Sequence, residues 1–205
     1  LETTRGAPLF PVPEKLSEFR LLKNVRHLSG SVESNVRLSS LPASIISCHI
    51  RYTHNQYVDN DASHCLCLKD LKIEFNIPRY ELRTLLLPNQ LKHFSLSHDS
   101  ILEWKMNIVL EKCLPRGLEE LVLNGSWIKQ SLINLPPNLQ RLSIGSRFNS
   151  DLLLPASLTF LSLPDEFNIR KHLINSEWPS QLVALGNVFI KQSTYFQVKS
   201  WFASE

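Results

Sequence analysis

One phrase recurs along the chain: a proline, then a large apolar residue three, six and eight positions later. It reads Leu114-Pro115 with Leu118, Leu121 and Leu123, then Leu135-Pro136 with Leu139, Leu142 and Ile144. It returns as Leu154-Pro155 with Leu158, Leu161 and Leu163. Other copies begin at Val12-Pro13, Leu41-Pro42, Leu87-Pro88 and Trp178-Pro179, and in one Cys65 takes the proline's place before Leu68, Leu71 and Ile73. The eight slots lie 19 to 29 residues apart, about 24 on average. A chain built this way stacks similar small units, because none can bury its own apolar edge.

The spacing dictates what each unit does. Positions four and six of L-x-x-L-x-L alternate as a short strand does, so their side chains point inward and those between point out. Proline before the strand fixes φ and removes a donor, which suits a corner leading into a sheet. Turn signals at Asn124-Gly125-Ser126, Gly145-Ser146 and Pro164-Asp165 make the return segments short and irregular. The 27-residue step containing Ile101, Leu102, Trp104, Met106, Ile108, Val109 and Leu110 has room for one short helix. The expected fold is an α/β repeat solenoid with a curved parallel β-sheet and a mostly irregular convex side.

The residues from Leu135 to Asn168 add a second signature. Pro136, Leu139 and Leu142 lead to Phe148-Asn149, and Pro155, Leu158 and Leu161 lead to Phe167-Asn168-Ile169, while Phe75-Asn76-Ile77-Pro78 spells F-N-I-P outright. In this the chain resembles the FNIP class of leucine-rich repeat over roughly residues 12–188, most closely between 86 and 170. It departs from that pattern at residues 52–64, which are polar, and in its uneven repeat lengths. The resemblance implies a leucine-rich-repeat horseshoe and a protein-recognition scaffold. In it each Phe would pack on the convex side and each Asn amide would satisfy backbone groups at a turn.

Three segments follow: an N-terminal arm at 1–11, a solenoid of about eight repeats at 12–190, and a C-terminal capping helix at 191–205. The last is read from Ser193-Thr194 followed by Tyr195, Val198 and Phe202. The chain opens on Leu1-Glu2, and the arm before Val12 carries only Leu9 and Phe10 as large apolar groups beyond the first residue, so further sequence N-terminal to it is expected.

Phrase positions three, five and seven face outward on the concave side. The middle column runs Arg20, His49, Lys72, Ser95, Val122, Ser143, Ser162 and Gly186, basic at one end and small at the other. The candidate partner-binding residues are Arg20, His49, Arg51, Lys72, His93, Glu120, Arg141 and Phe160. The basic members would take an acidic segment of a polypeptide and steer its approach, and Phe160 would serve as an apolar anchor. The plainer alternative is that all are solvated strand residues.

Other chemistry finds little to stand on. No Gly-rich phosphate loop, G-x-S-x-G or H-E-x-x-H occurs, and His98 and His172 are isolated, so no enzyme is expected. Cys48, His49, His54, His64, Cys65 and Cys67 form the densest polar cluster. Its best zinc ligands would be His54, His64, Cys65 and Cys67, but Cys65-x-Cys67 lacks knuckle spacing, so no metal and no cofactor is expected. Four cysteines in 205 residues make no disulfide scaffold. Secreted leucine-rich repeats carry clustered cysteines in their flanks and this chain does not, so an intracellular, cytoplasmic location is expected. The sequon at Asn124 coincides with a turn and argues nothing about secretion.

With 22 Lys and Arg against 19 Asp and Glu, the net charge of +3 is too small and too dispersed to favour nucleic acid. No apolar run of 18 residues suggests a membrane span. The expected function is a protein-protein interaction module. Two other classes stay open: the substrate-receptor arm of an F-box-type ubiquitin ligase adaptor, and a structural spacer with no single ligand. The oligomeric state is not readable.

Overall fold

The computed structural model describes residues 24–32, 37–53, 60–76, 81–82, 85–98, 105–106, 109–125, 128–145, 147–174, 178–182 and 184–185. Its strands, in chain order, are β1 (His27–Val32), β2 (Ser47–Tyr52), β3 (Asp70–Phe75), β4 (Glu81–Leu82) and β5 (His93–His98). They continue with β6 (Lys105–Met106), β7 (Glu120–Asn124), β8 (Arg141–Ile144), β9 (Phe160–Ser162) and β10 (Ala184–Leu185). Eight of them form one sheet in the order β1-β2-β3-β5-β7-β8-β9-β10, every pair parallel. Neighbours in the sheet are neighbours in the repeat, as stacked units require.

The register holds without a slip. Cys48, Leu71, Phe94, Leu121, Leu142 and Leu161 lie side by side at phrase position four. Ile50, Ile73, Leu96, Leu123 and Ile144 do the same at position six. All are buried, together with Ile45, Leu68, Leu91, Leu118, Leu139 and Leu158 at position one. One continuous core therefore runs through the stack, each aliphatic side chain contributing roughly 1.5–3 kcal/mol by leaving water.

The proline's role is visible in a single repeated hydrogen bond. The carbonyls of Pro42, Pro88, Pro115, Pro136, Pro155 and Pro179 each accept from the backbone N–H three residues on, at 3.0–3.1 Å. Cys65, standing in for proline, does the same for Leu68 at 3.0 Å. The phrase is thus a tight turn that delivers its first aliphatic residue to the core. Just after it, each carbonyl at position two accepts two N–H groups from the next unit, as Lys69 does from Lys92 at 2.8 Å and His93 at 2.9 Å.

The return segments carry a sparser ladder. It consists of the β4–β6 pair and the parallel bridges Asp61–Leu86, Leu132–Leu152 and Leu152–Leu173. Phe148 and Phe167 are buried there in successive units, stacked with ring centroids 5.5 Å apart. Their following asparagines satisfy backbone as expected: Asn149 Oδ1 accepts from the Asn168 N–H at 3.4 Å, and Asn168 Oδ1 from the Lys171 N–H at 3.2 Å. The latter caps α1 (Ile169–His172), a four-residue helix the turn signals did not foretell.

Two expectations are corrected. The strand beside β2 is β1, centred on Leu28, where Val25 and Gly30 take positions one and six, so the 29-residue step after Pro13 conceals a turn without the phrase. Gly30 offers no apolar side chain and no proline marks the corner in the described part, which hid this unit from the periodicity. Phe75 ends β3, buried against Tyr52 with ring centroids 5.2 Å apart. It lies two phrase positions before Phe148 and Phe167, so the F-N-I-P spelling falls outside their register. In the long step the described residues hold β6 and a 3-10 turn at Leu110–Lys112, while 101–104 and 107–108 lie outside them.

The arm at 1–11, the phrase from Val12 to Leu21 and the cap at 191–205 lie outside the described residues. In the last described turn Leu173 and Leu182 are half-buried, where Leu152 and Leu158 one turn earlier are fully buried. Among the described residues no helix is long and apolar enough to cross a membrane.

Candidate partner-binding face

The outward positions of the main sheet form three straight rows. Row three runs His27, Ser47, Asp70, His93, Glu120, Arg141 and Phe160; row five runs Ser29, His49, Lys72, Ser95, Val122, Ser143 and Ser162. Row seven runs Ser31, Arg51, Glu74, Ser97 and Asn124. Seven of the eight residues expected at the site therefore lie on one face: His49, Arg51, Lys72, His93, Glu120, Arg141 and Phe160. Arg20 lies outside the described residues, and the place beside His49 in row five belongs to Ser29.

The basic end is already partly neutralised from within. Glu74 Oε2 accepts the Arg51 Nε–H at 2.7 Å and lies 2.7 Å from a second guanidinium nitrogen. Glu74 Oε1 meets Lys72 Nζ at 2.6 Å and His49 Nε2 at 3.4 Å. Burial pushes the Glu74 carboxyl up, but the bonds from Lys72, Arg51 and His49 together outweigh it and hold the group at about 2. In row three the ring of His93 contacts the Asp70 carboxylate. Asp70 and Glu74 occupy outward positions three and seven of the phrase, and spacing alone does not show their role, because lateral pairing appears only once neighbouring strands are in register.

Toward the other end the contacts loosen. Arg141 Nε lies 3.7 Å from Glu120 Oε1, and the same guanidinium sits 4.4 Å from the centroid of the Phe160 ring. Two open clefts lie along the face. One, of about 350 Å³, includes Ser47, His49, Asp70, Lys72, His93 and Ser95 in its lining. The other, of about 410 Å³, lies over β7, β8 and β9 and the loops that follow β8 and β9.

The candidate metal ligands that are described do not gather around one point. His64 Nε2 lies 2.9 Å from the Leu41 carbonyl and 3.4 Å from Cys65 Sγ, Cys67 faces solvent, and His54 is outside the described residues. Among the described residues no three His, Cys, Asp or Glu side chains gather as metal ligands would. Cys48 and Cys65 are core residues, and burial pushes both thiols up, Cys65 to about 11, away from the reactive thiolate. Buried His172 on α1 places Nδ1 3.2 Å from Asp151 Oδ1 on the return side, remote in sequence register from the rows.

Compared with models of known protein families and with curated proteins, the chain matches none.

Proposed function

We propose that the chain is a leucine-rich-repeat horseshoe of the FNIP-like kind and that it acts as a protein-interaction module, docking a polypeptide on the concave face of its sheet. The observation that carries this reading is the rank of outward side chains in unbroken register across seven strands, with open clefts along it. A polypeptide crossing the strands would meet one row position per unit, about 4.8 Å apart. The repeated turn at the proline slot and the buried Phe148–Phe167 pair with its asparagine bonds support the family reading.

The internal pairing changes what the partner should look like. An acidic segment would find Arg51 and Lys72 committed to Glu74, and His93 to Asp70. Displacing them costs what the new pairs return, so the basic end sets register more than affinity. The weight of docking then falls on Arg141 and Phe160.

Affinity capture from cell extract tests this, comparing the native chain with an Arg141→Glu, Phe160→Ala variant of equal melting temperature. A partner held by the native chain and lost by the variant is the expected result. Identical captures by both overturn the docking face.

A further inference from the structure

We propose that the cleft over β7, β8 and β9 is a groove for an extended polypeptide segment that presents Lys or Arg to Asp165 and Glu166. This rests on the concave-face reading above and specifies its partner.

The floor is built for close approach. Val122, Ser143 and Ser162 are direct neighbours in row five and all half-buried, so three successive strands offer small side chains where β2 and β3 offer His49 and Lys72. At the mouth the lining continues through Gly145 beside Asn124. A Cβ at Gly145 would stand 2.1 Å from Asn124 Oδ1, so this position admits glycine alone without displacing that side chain. Backbone can thus lie against the sheet here without meeting a long side chain.

Charge then selects the occupant. The carboxylates along the rows have cationic neighbours: Glu74 has Lys72 and Arg51, Asp70 has His93, and Glu120 has Arg141. Asp165 and Glu166 close the cleft from the turn after β9, both exposed, and among the described residues neither has a cation within ion-pairing distance. Against these two carboxylates the lining sets one guanidinium, Arg147, held at a φ of 68° in the left-handed region. The cleft is therefore net acidic, and the complementary segment is basic. Its charge would find unspent partners, in contrast to an acidic segment at the other end of the face. Charged pairs at an exposed rim set orientation and on-rate, while the small-residue floor sets how closely the backbone seats.

The test is selection from a phage-displayed library of random twelve-residue peptides against the native chain. Four variants run in parallel: Asp165→Lys with Glu166→Lys, Ser162→Trp, Ser95→Trp, and Ile133→Trp on the exposed return side as the control. Melting temperatures confirm that each is folded; should Ser162→Trp fail that check, the charge reversal at the exposed turn decides alone. The expected result is enrichment of Lys and Arg over the input library. Binding should weaken at least tenfold in the charge-reversed and Ser162→Trp variants and stay unchanged in Ile133→Trp, with the charge-reversed chain now selecting Asp and Glu. Enriched peptides without basic residues, or indifferent to both groove variants, overturn the inference. If those peptides are blocked by Ser95→Trp, the concave-face reading survives without it. Recovery of no binding peptide overturns both.

Discussion

Glu74 of β3 stands in register beside Arg51 of β2 and accepts its Nε hydrogen at 2.7 Å, with Lys72 closing on the other carboxylate oxygen at 2.6 Å. The most basic stretch of the sheet thereby holds a carboxylate shared between two cations. Its carboxyl titrates at about 2 when folded, against 4.5 ordinarily. A depressed acid stabilises the fold above its unfolded value and loses that contribution as pH falls toward the folded one. The native chain should therefore be more stable than Glu74→Gln by about 1–2 kcal/mol at pH 7, discounted for the solvent around its partners. Urea unfolding should show that difference constant above about pH 5 and shrinking from pH 4.5 toward pH 2. A gap that persists unchanged at pH 2 would mean the carboxylate's charge is not its source.

Leu142 fills position four of β8, fully buried between Leu121 and Leu161. Leu142→Ala should cost about 2–5 kcal/mol through lost transfer energy and an unfilled cavity. Because each unit is stabilised by its neighbours, hydrogen exchange should quicken in β7 and β9 as well as in β8. Acceleration confined to β8 would contradict the stacked core.

Gly145→Ala drives a methyl group into Asn124 Oδ1. We expect a loss of about 1–3 kcal/mol, the usual range for overpacking. Since the Asn124 amide is the nearest obstacle, while the Asn124 Cα at 3.0 Å stays in place, Asn124→Ala in the same chain should restore part of it. A thermal-unfolding double-mutant cycle measures this coupling, and simple additivity would show that the clash is relieved elsewhere.

Arg141 lies over Phe160 and near Glu120, with half of its side chain exposed. Arg141→Ala should lower stability by less than about 1 kcal/mol, since exposed pairs and cation–π contacts are weak. Its effect on partner binding should be at least tenfold, measured by titration calorimetry. A large stability loss would recast Arg141 as a structural residue.

Much of this architecture was written in the apolar spacing. Leu71 with Ile73, Phe94 with Leu96, and Leu121 with Leu123 announce their inward direction by alternation alone, and once direction is known the outward rows follow. What escaped did so for physical reasons. β1 has Gly30 at an inward position, so its periodicity breaks. Phe75 matches a short motif by spelling but ends a strand, because position within the unit, not identity, decides which wall a side chain meets. The Asp70–His93 and Glu74–Arg51 pairs join residues 23 apart, and sequence shows such partners only after a register is imposed. The cleft at Asp165 and Glu166 arises where the loops after β8 and β9 meet the sheet, and no linear pattern encodes it.

Hydroxyl-radical footprinting of the chain with and without its captured partner tests the central claim most directly, because it reads side chains on both sides of the stack at once. The account predicts protection of Phe160, Val122 and Arg141 on the sheet, with Leu86, Ile133 and Ile174, exposed on the return segments, as reactive as before. Protection of Leu86, Ile133 and Ile174 with the sheet residues unchanged would contradict it.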